Sequence, residues 1–104
     1  MASSKEQLQF ILDQLSDLDE ITYRQMMGEF ILYYRGKIVG GIYDDRLLVK
    51  PAKSAVEYVK TPIFEQPYDG AKEMLLIENI DDRGYLTGLL QAMYDELPVP
   101  KKKG

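Results

Sequence analysis

The chain contains neither cysteine nor histidine. Without thiols it can form no disulfide, no thiolate zinc site and no cysteine nucleophile. Without imidazoles it also lacks the commonest general base, the commonest transition-metal ligand and every histidine-based triad. Long apolar runs are missing as well. Stretches such as Met74 to Ile77 fall far short of the roughly 20 residues that a membrane-spanning helix needs, and no hydrophobic leader opens the sequence. These absences predict a cytoplasmic protein with no membrane segment and no cofactor. Positive charge is scarce: 13 lysines and arginines face 17 aspartates and glutamates, a net charge of −4. Sequence-independent binding to phosphate backbones depends on lysines and arginines displacing counterions, so no direct nucleic-acid contact is expected. The basic run Lys101 to Lys103 follows Pro-Val-Pro and reads as an extended, solvated tail over 98–104.

What is present is the composition of an ordinary globular protein, 45% apolar and 29% charged over 104 residues. That length suits one domain, expected over residues 1–97. A first helix is predicted from about Ser4 to Leu18, with Ser3 and Glu6 as a capping box and Leu8, Ile11, Leu12 and Leu15 on one face. Phe10 points nearly opposite that stripe, toward either a neighbouring part of the chain or another subunit. After the acidic break Ser16 to Glu20 the pattern changes to strands. Arg35-Gly36 and Asp44-Asp45 have the residue types of two-residue hairpin loops. Pro51 ends this meander. A short helix is read in Ala52 to Val59, a loop in Thr61 to Gly70 and a strand in Ala71 to Glu78. A final helix from about Asp82 to Leu97 carries Leu86, Leu89, Leu90, Met93 and Leu97 at helical spacing, and Pro98 stops it. On its other side lie Gly84, Gly88, Gln91 and Asp95, so Gly88 is expected to be exposed or to face another molecule. The order α-β-β-β-β-α-β-α describes a two-layer α+β domain, an antiparallel sheet with helices packed on it.

Register follows from the hairpins: Tyr34 should pair with Lys37 and Tyr43 with Arg46. Alternation then places Ile31, Tyr33, Ile38, Ile42, Leu47 and Val49 on one face, which is apolar enough to hold the helices. Phe30, Leu32, Tyr34, Lys37, Val39, Tyr43, Arg46, Leu48 and Lys50 fall on the other. That second face has an apolar middle and a tyrosine and basic margin, the mixture of an interface. Phe30, Leu32, Tyr34, Val39, Tyr43, Arg46 and Leu48 are therefore the candidate partner-facing residues, for a protein partner or a homodimer. Gly40 and Gly41 mark a bulge, a close backbone approach or room for a tyrosine ring.

Few residues point to chemistry. Arg24 could bind a carboxylate or phosphate, though pairing with a carboxylate of the chain itself is the commoner use. Met26 and Met27 suit an adaptable packing surface, though core filling is the commoner use. "GKIVGG" lacks the spacing and the strand-loop-helix setting of a phosphate loop. Asp44-Asp45 and Asp81-Asp82 have oxygen ligands for a divalent cation, but they read better as a turn and as the acidic start of a helix. An alternative to an interaction domain is a small-ligand binder or enzyme with a pocket near Arg24, Lys50 and Lys72.

From Thr22 onward, "TYRQMMGEFILYYRGK" followed by "DDRLLVK" resembles the N-terminal domain of the TfoX/Sxy family of competence regulators. Arg24, Met26, Gly28, Gly36 and Lys37 match one family motif, and Asp45, Arg46, Leu47 and Lys50 match another. "PYDGAKEMLLIENIDDR" and "ELPVPKKK" are similar to the short stand-alone members. Met27 stands where the family usually has an aromatic residue, and the second domain of the full-length regulators is not seen. The resemblance implies a secretion-chaperone-like fold and a non-enzymatic role, co-activation of transcription through protein contacts.

Overall fold

The computed structural model describes residues 4–97. The elements run α1 (Lys5–Gln14), β1 (Ile21–Met26), β2 (Glu29–Tyr34), β3 (Lys37–Tyr43), β4 (Arg46–Val49), α2 (Lys53–Tyr58), β5 (Phe64–Glu65), β6 (Met74–Ile77) and α3 (Arg83–Met93), followed by a 3₁₀ turn over Tyr94–Glu96. This is the α+β order expected from the sequence, with a two-residue strand inserted in the segment read as a loop. The six strands form one antiparallel sheet in the order β1-β2-β3-β4-β6-β5.

Local chemistry accounts for the element ends. The Ser4 hydroxyl accepts the Gln7 N–H at 3.1 Å and caps α1, so the cap is Ser4; Ser3, expected in that role, lies outside the described residues, as does the basic tail. The helix ends at Gln14, earlier than the apolar spacing suggested, because Leu15 and Leu18 continue the buried stripe from a series of turns. Asp82 caps α3 by accepting the Tyr85 N–H at 3.0 Å. The N-terminus of α2 has no side-chain cap of its own; instead Glu96, from beyond α3, accepts both the Ser54 N–H (2.9 Å) and the Ser54 hydroxyl (3.0 Å).

Three two-residue turns link β1 to β4. Met27-Gly28, Arg35-Gly36 and Asp44-Asp45 all have both residues at positive φ, the mirror-image turn whose twist matches a hairpin. Tyr34 pairs with Lys37 and Tyr43 with Arg46, as the loop lengths require. The faces, however, differ from those obtained by counting. Tyr33 pairs with Ile38 but Leu32 pairs with Gly40, so Val39 is an extra residue, a β-bulge. A one-residue slip turns every following side chain to the other face. Counting through β3 without the bulge joined the outer half of the hairpin to the wrong half of the sheet.

The helix-covered face carries Phe30, Leu32, Tyr34, Val39, Ile42, Leu47 and Val49, which form one core with Leu8, Ile11 and Leu15 of the α1 segment and Leu86, Leu89, Leu90 and Met93 of α3. Phe30, Leu32, Tyr34 and Val39 are thus core residues, and the expectation that they face a partner is overturned. Ile31, Tyr33 and Ile38, expected beneath the helices, lie on the open face. Each fully buried large apolar side chain is worth about 1.5–3 kcal/mol, so the choice of face is decided by where the helical stripes can be covered.

Close contacts explain the paired glycines. A Cβ on Gly40 would lie 2.1 Å from the Leu48 carbonyl oxygen, and one on Gly41 would lie 2.5 Å from the Phe30 carbonyl oxygen and 2.8 Å from the Tyr43 ring. Both are close backbone approaches, and the second also makes room for a ring.

Gly88 corrects the expectation of an exposed site. It is half-buried, and a Cβ there would meet the Tyr58 hydroxyl at 2.4 Å. That hydroxyl donates to the Tyr85 carbonyl at 3.1 Å, and the two tyrosine rings sit 5.1 Å apart. Gly88 is therefore the notch through which α2 docks on α3. Gly88→Ala should lose about 1–2 kcal/mol in denaturant unfolding, from overpacking and the displaced hydrogen bond. Gly84→Ala, whose methyl would meet only the Asp82 carboxylate at 3.8 Å, should be neutral or gain up to about 1 kcal/mol.

The Glu96 cap makes a pH-dependent prediction. The Ser54 backbone N–H holds the Glu96 carboxyl below its usual range; burial opposes this, and the Ser54 hydroxyl and Lys53 give smaller help. A lowered folded pKa contributes stability that is present above the unfolded value and lost as pH falls through the folded one. Glu96→Gln should lower Tm at neutral pH, and the difference from the unaltered protein should vanish near pH ~2, below the ordinary carboxylate range.

Candidate protein-interaction face

The open side of the sheet presents Thr22, Arg24 and Met26 from β1, Ile31 and Tyr33 from β2, Ile38 and Tyr43 from β3, and Arg46 and Leu48 from β4, as the pairing register dictates. No helix lies over it. One half is nevertheless covered by the chain itself, because the segment after β5 folds back across β3 and β4. Arg46 holds this segment through Glu65 and through the Gln66 carbonyl, and the Tyr68 ring rests 6.4 Å from that of Tyr43. Leu48, between Gly41 and Leu76, is fully buried there. Of the candidate residues, Tyr43, Arg46 and Leu48 do lie on the open side, but Leu48 serves this second, smaller cluster and is not available to a partner in the isolated chain.

The other half is bare. Met27 at the β1–β2 turn is 98% exposed, Met26 50%, Tyr68 65% and Ile38 39%. Met26, Met27, Glu29, Ile31, Tyr43 and Tyr68 enclose a groove of about 480 Å³. The two methionines were expected to fill the core. They do not, because Met27 lies in the turn after β1 and β1 is an edge strand with five of its six residues exposed. Methionine is flexible and polarisable, which suits a surface that adapts to its occupant. Phe10, on the outer side of α1, is also 41% exposed.

The Tyr43 hydroxyl ionises above its usual range, first because burial disfavours the phenolate and then because Tyr68, Glu29 and Tyr33 lie close by. It is therefore a neutral donor and acceptor at the groove wall under all ordinary conditions. On the far side of the Tyr43–Tyr68 ridge a second cleft, of about 270 Å³, is lined by Lys50, Pro51, Pro67, Ala71 and Lys72 among others. The structure thus brings together two of the three ligand candidates, Lys50 and Lys72. Arg24 sits on β1, at the other side of the sheet, exposed and in no ion pair with a described residue. Asp44-Asp45 is a turn whose Asp45 carboxylate accepts the Ser4 N–H at 2.8 Å. Among the described residues no group of three or more carboxylate, histidine or cysteine side chains could hold a metal ion, and no helix is long and apolar enough to cross a membrane.

Of the residues on the bare half of the open face, Ile31 and Ile38 were expected beneath the helices, and Met26, Met27 and Tyr68 were not among the candidates. The signal that could have found the two isoleucines was Gly40-Gly41, read as a bulge and then carried through the count.

Comparison with known proteins places this arrangement in a family. The chain is 30% identical over 104 residues to an uncharacterized 12.7 kDa protein in the trpE 5′ region of Spirochaeta aurantia, a match spanning 99% of this chain and 90% of that protein. No solved structure matches the chain. The family model of the TfoX N-terminal domain matches residues 13–87, which include the whole β1–β4 meander, α2 and the start of α3; the chain is a member of the TfoX N-terminal domain family.

Proposed function

We propose that the chain is a non-enzymatic protein-interaction domain of the cytoplasm, acting as an accessory factor in transcription in the manner that the resemblance to the competence regulators implies. The observation that carries this reading is the bare half of the open face. A soluble protein seldom leaves a contiguous apolar surface uncovered unless it is used, and here methionine, isoleucine and tyrosine surround one groove. Tyrosine and methionine are among the residues enriched in interface cores. The net charge of −4 favours recognition of a protein over recognition of a nucleic-acid backbone.

A second reading, a small anionic ligand, is favoured by one specific feature, the pairing of Lys50 and Lys72 beside two tyrosines and two prolines in the smaller cleft. The two readings separate by location. Ile38→Asp changes the bare face and leaves the lysine cleft intact, whereas Lys50→Ala with Lys72→Ala does the reverse.

Affinity capture from the native cell should recover a partner with the unaltered protein and with the double lysine variant. Ile38→Asp should lose it while keeping a native circular dichroism spectrum. Retention of the same partner by Ile38→Asp, with loss in the lysine variant, would transfer the activity to the smaller cleft.

A further inference from the structure

The two edges of the sheet are built differently. β5 is two residues long and stands between Pro62 and Pro67, and shortness and proline are devices that stop an edge from pairing with another chain. β1, at the opposite edge, has six residues, none of them proline or glycine, and five are exposed.

The direction of its free backbone groups follows from its hairpin. Met26 and Glu29 close a two-residue loop, and at the other end of the strand the Arg35 N–H reaches the Glu20 carbonyl at 3.0 Å. Hydrogen-bonded pairs alternate along an antiparallel ladder. Thr22, Arg24 and Met26 therefore bond to β2, while Ile21, Tyr23 and Gln25 turn their N–H and C=O groups outward. Among the described residues, no backbone bond from outside the ladders reaches those three.

We propose that this edge pairs with β1 of a second copy of the chain, antiparallel about a two-fold axis normal to the sheet, with Arg24 of each copy beside Glu20 of the other, the residue just before its strand. Such an axis preserves the face of every side chain, so the axis must pass through a residue pair of like number. Centring on Arg24 sets two guanidinium groups against each other, which is destabilising. Centring on Tyr23 places Arg24 against Thr22 and Ile21 against Gln25, with no charge satisfied. Centring on Thr22 gives a threonine pair at the closely spaced position, an Ile21–Tyr23 pair twice in the hydrogen-bonded positions, and twice brings Arg24 beside Glu20, the residue at φ 61° that precedes the partner's strand. Aromatic with β-branched, threonine with threonine and opposite charges are the favourable cross-strand combinations. Neither Arg24 nor Glu20 makes an ion pair with a described residue of its own chain, so this register satisfies two charges that the isolated chain leaves in solvent. The lone arginine bars one register and selects another.

The dimer would join two six-stranded sheets into one and bring the two bare faces side by side, doubling the surface assigned to partner binding. To that extent it builds on the interaction-domain reading, but it is tested without it.

Light scattering and sedimentation of the unaltered protein should show a dimer at millimolar concentration that dissociates on dilution. In the same range, amide hydrogen exchange at Tyr23 should slow as concentration rises, while exchange at Arg24, bonded to β2, should not change. Tyr23→Pro removes the outward donor, and with it the ring that packs edge-on against Phe30 at 5.9 Å, and should give a monomer with native circular dichroism. Should that variant fail to fold, charge reversal supplies the independent arm. Arg24→Glu and Glu20→Arg should each weaken association by about tenfold, since each replaces exposed ion pairs by like charges, and the double reversal should restore it. A protein that is monomeric at millimolar concentration, a dimer whose Tyr23 amide exchanges as in the monomer, or a double reversal without rescue overturns the pairing. Ile38→Asp leaves β1 unaltered, so retention of the partner by that variant with dimerisation intact would speak only against the face, and loss of the partner in a protein that does not dimerise only against the edge.

Discussion

The bulge at Val39 is the constraint on which the rest of the structure depends. It is held in place by backbone packing: Gly40 approaches the Leu48 carbonyl so closely that no side chain could stand between them. Because the bulge shifts β3 by one residue, Phe30, Leu32 and Tyr34 share a face with Ile42, Leu47 and Val49 and not with Tyr43 and Leu48. Only that combination gives the helices a continuous apolar floor. It also ejects Ile31, Tyr33 and Ile38 to the opposite side, so the same device that completes the core creates the bare face.

Around this sheet the remaining elements are tied by a few polar contacts at their ends. The 3₁₀ turn is anchored to the β2–β3 hairpin, where the Lys37 ammonium donates to the Tyr94 carbonyl at 3.2 Å and lies 4.1 Å from the centre of its ring. Glu96 then reaches α2, and α2 reaches α3 through Tyr58. Arg46 pins the segment after β5 over Leu48. This last contact divides the open side into a closed half and a bare half, and the Tyr43–Tyr68 ridge is their boundary. The bare surface is thus a remainder: what neither the helices nor the returning loop covers.

No imidazole or thiol exists to converge on a pocket, and several of the carboxylates are occupied with caps, turns and loop anchors, as Asp82, Asp45, Glu65 and Glu96 illustrate. The open side of the sheet is left with adaptable apolar side chains around one groove and two lysines at the other cleft. The match to the TfoX N-terminal domain family covers the whole meander that carries these surfaces.

Much of this was legible in the sequence because it rests on short-range physics. Loop length and turn residues determined the hairpins and the pairs Tyr34–Lys37 and Tyr43–Arg46; helical spacing determined the buried stripes of α1 and α3; the absence of histidine and cysteine limited the chemistry. The missed features were long-range. Gly40-Gly41 announces an irregularity, but whether it is a bulge depends on how near Leu48 comes from the neighbouring strand. Gly88 reads as an exposed glycine until α2 brings Tyr58 against it, and Met26 and Met27 read as core until β1 is seen to be an exposed edge strand. Composition and periodicity alone established which residues can be buried. Tertiary structure decided which side of the sheet buries them, because in a strand whose two faces are both rich in apolar residues a single inserted residue reverses the choice without changing the pattern.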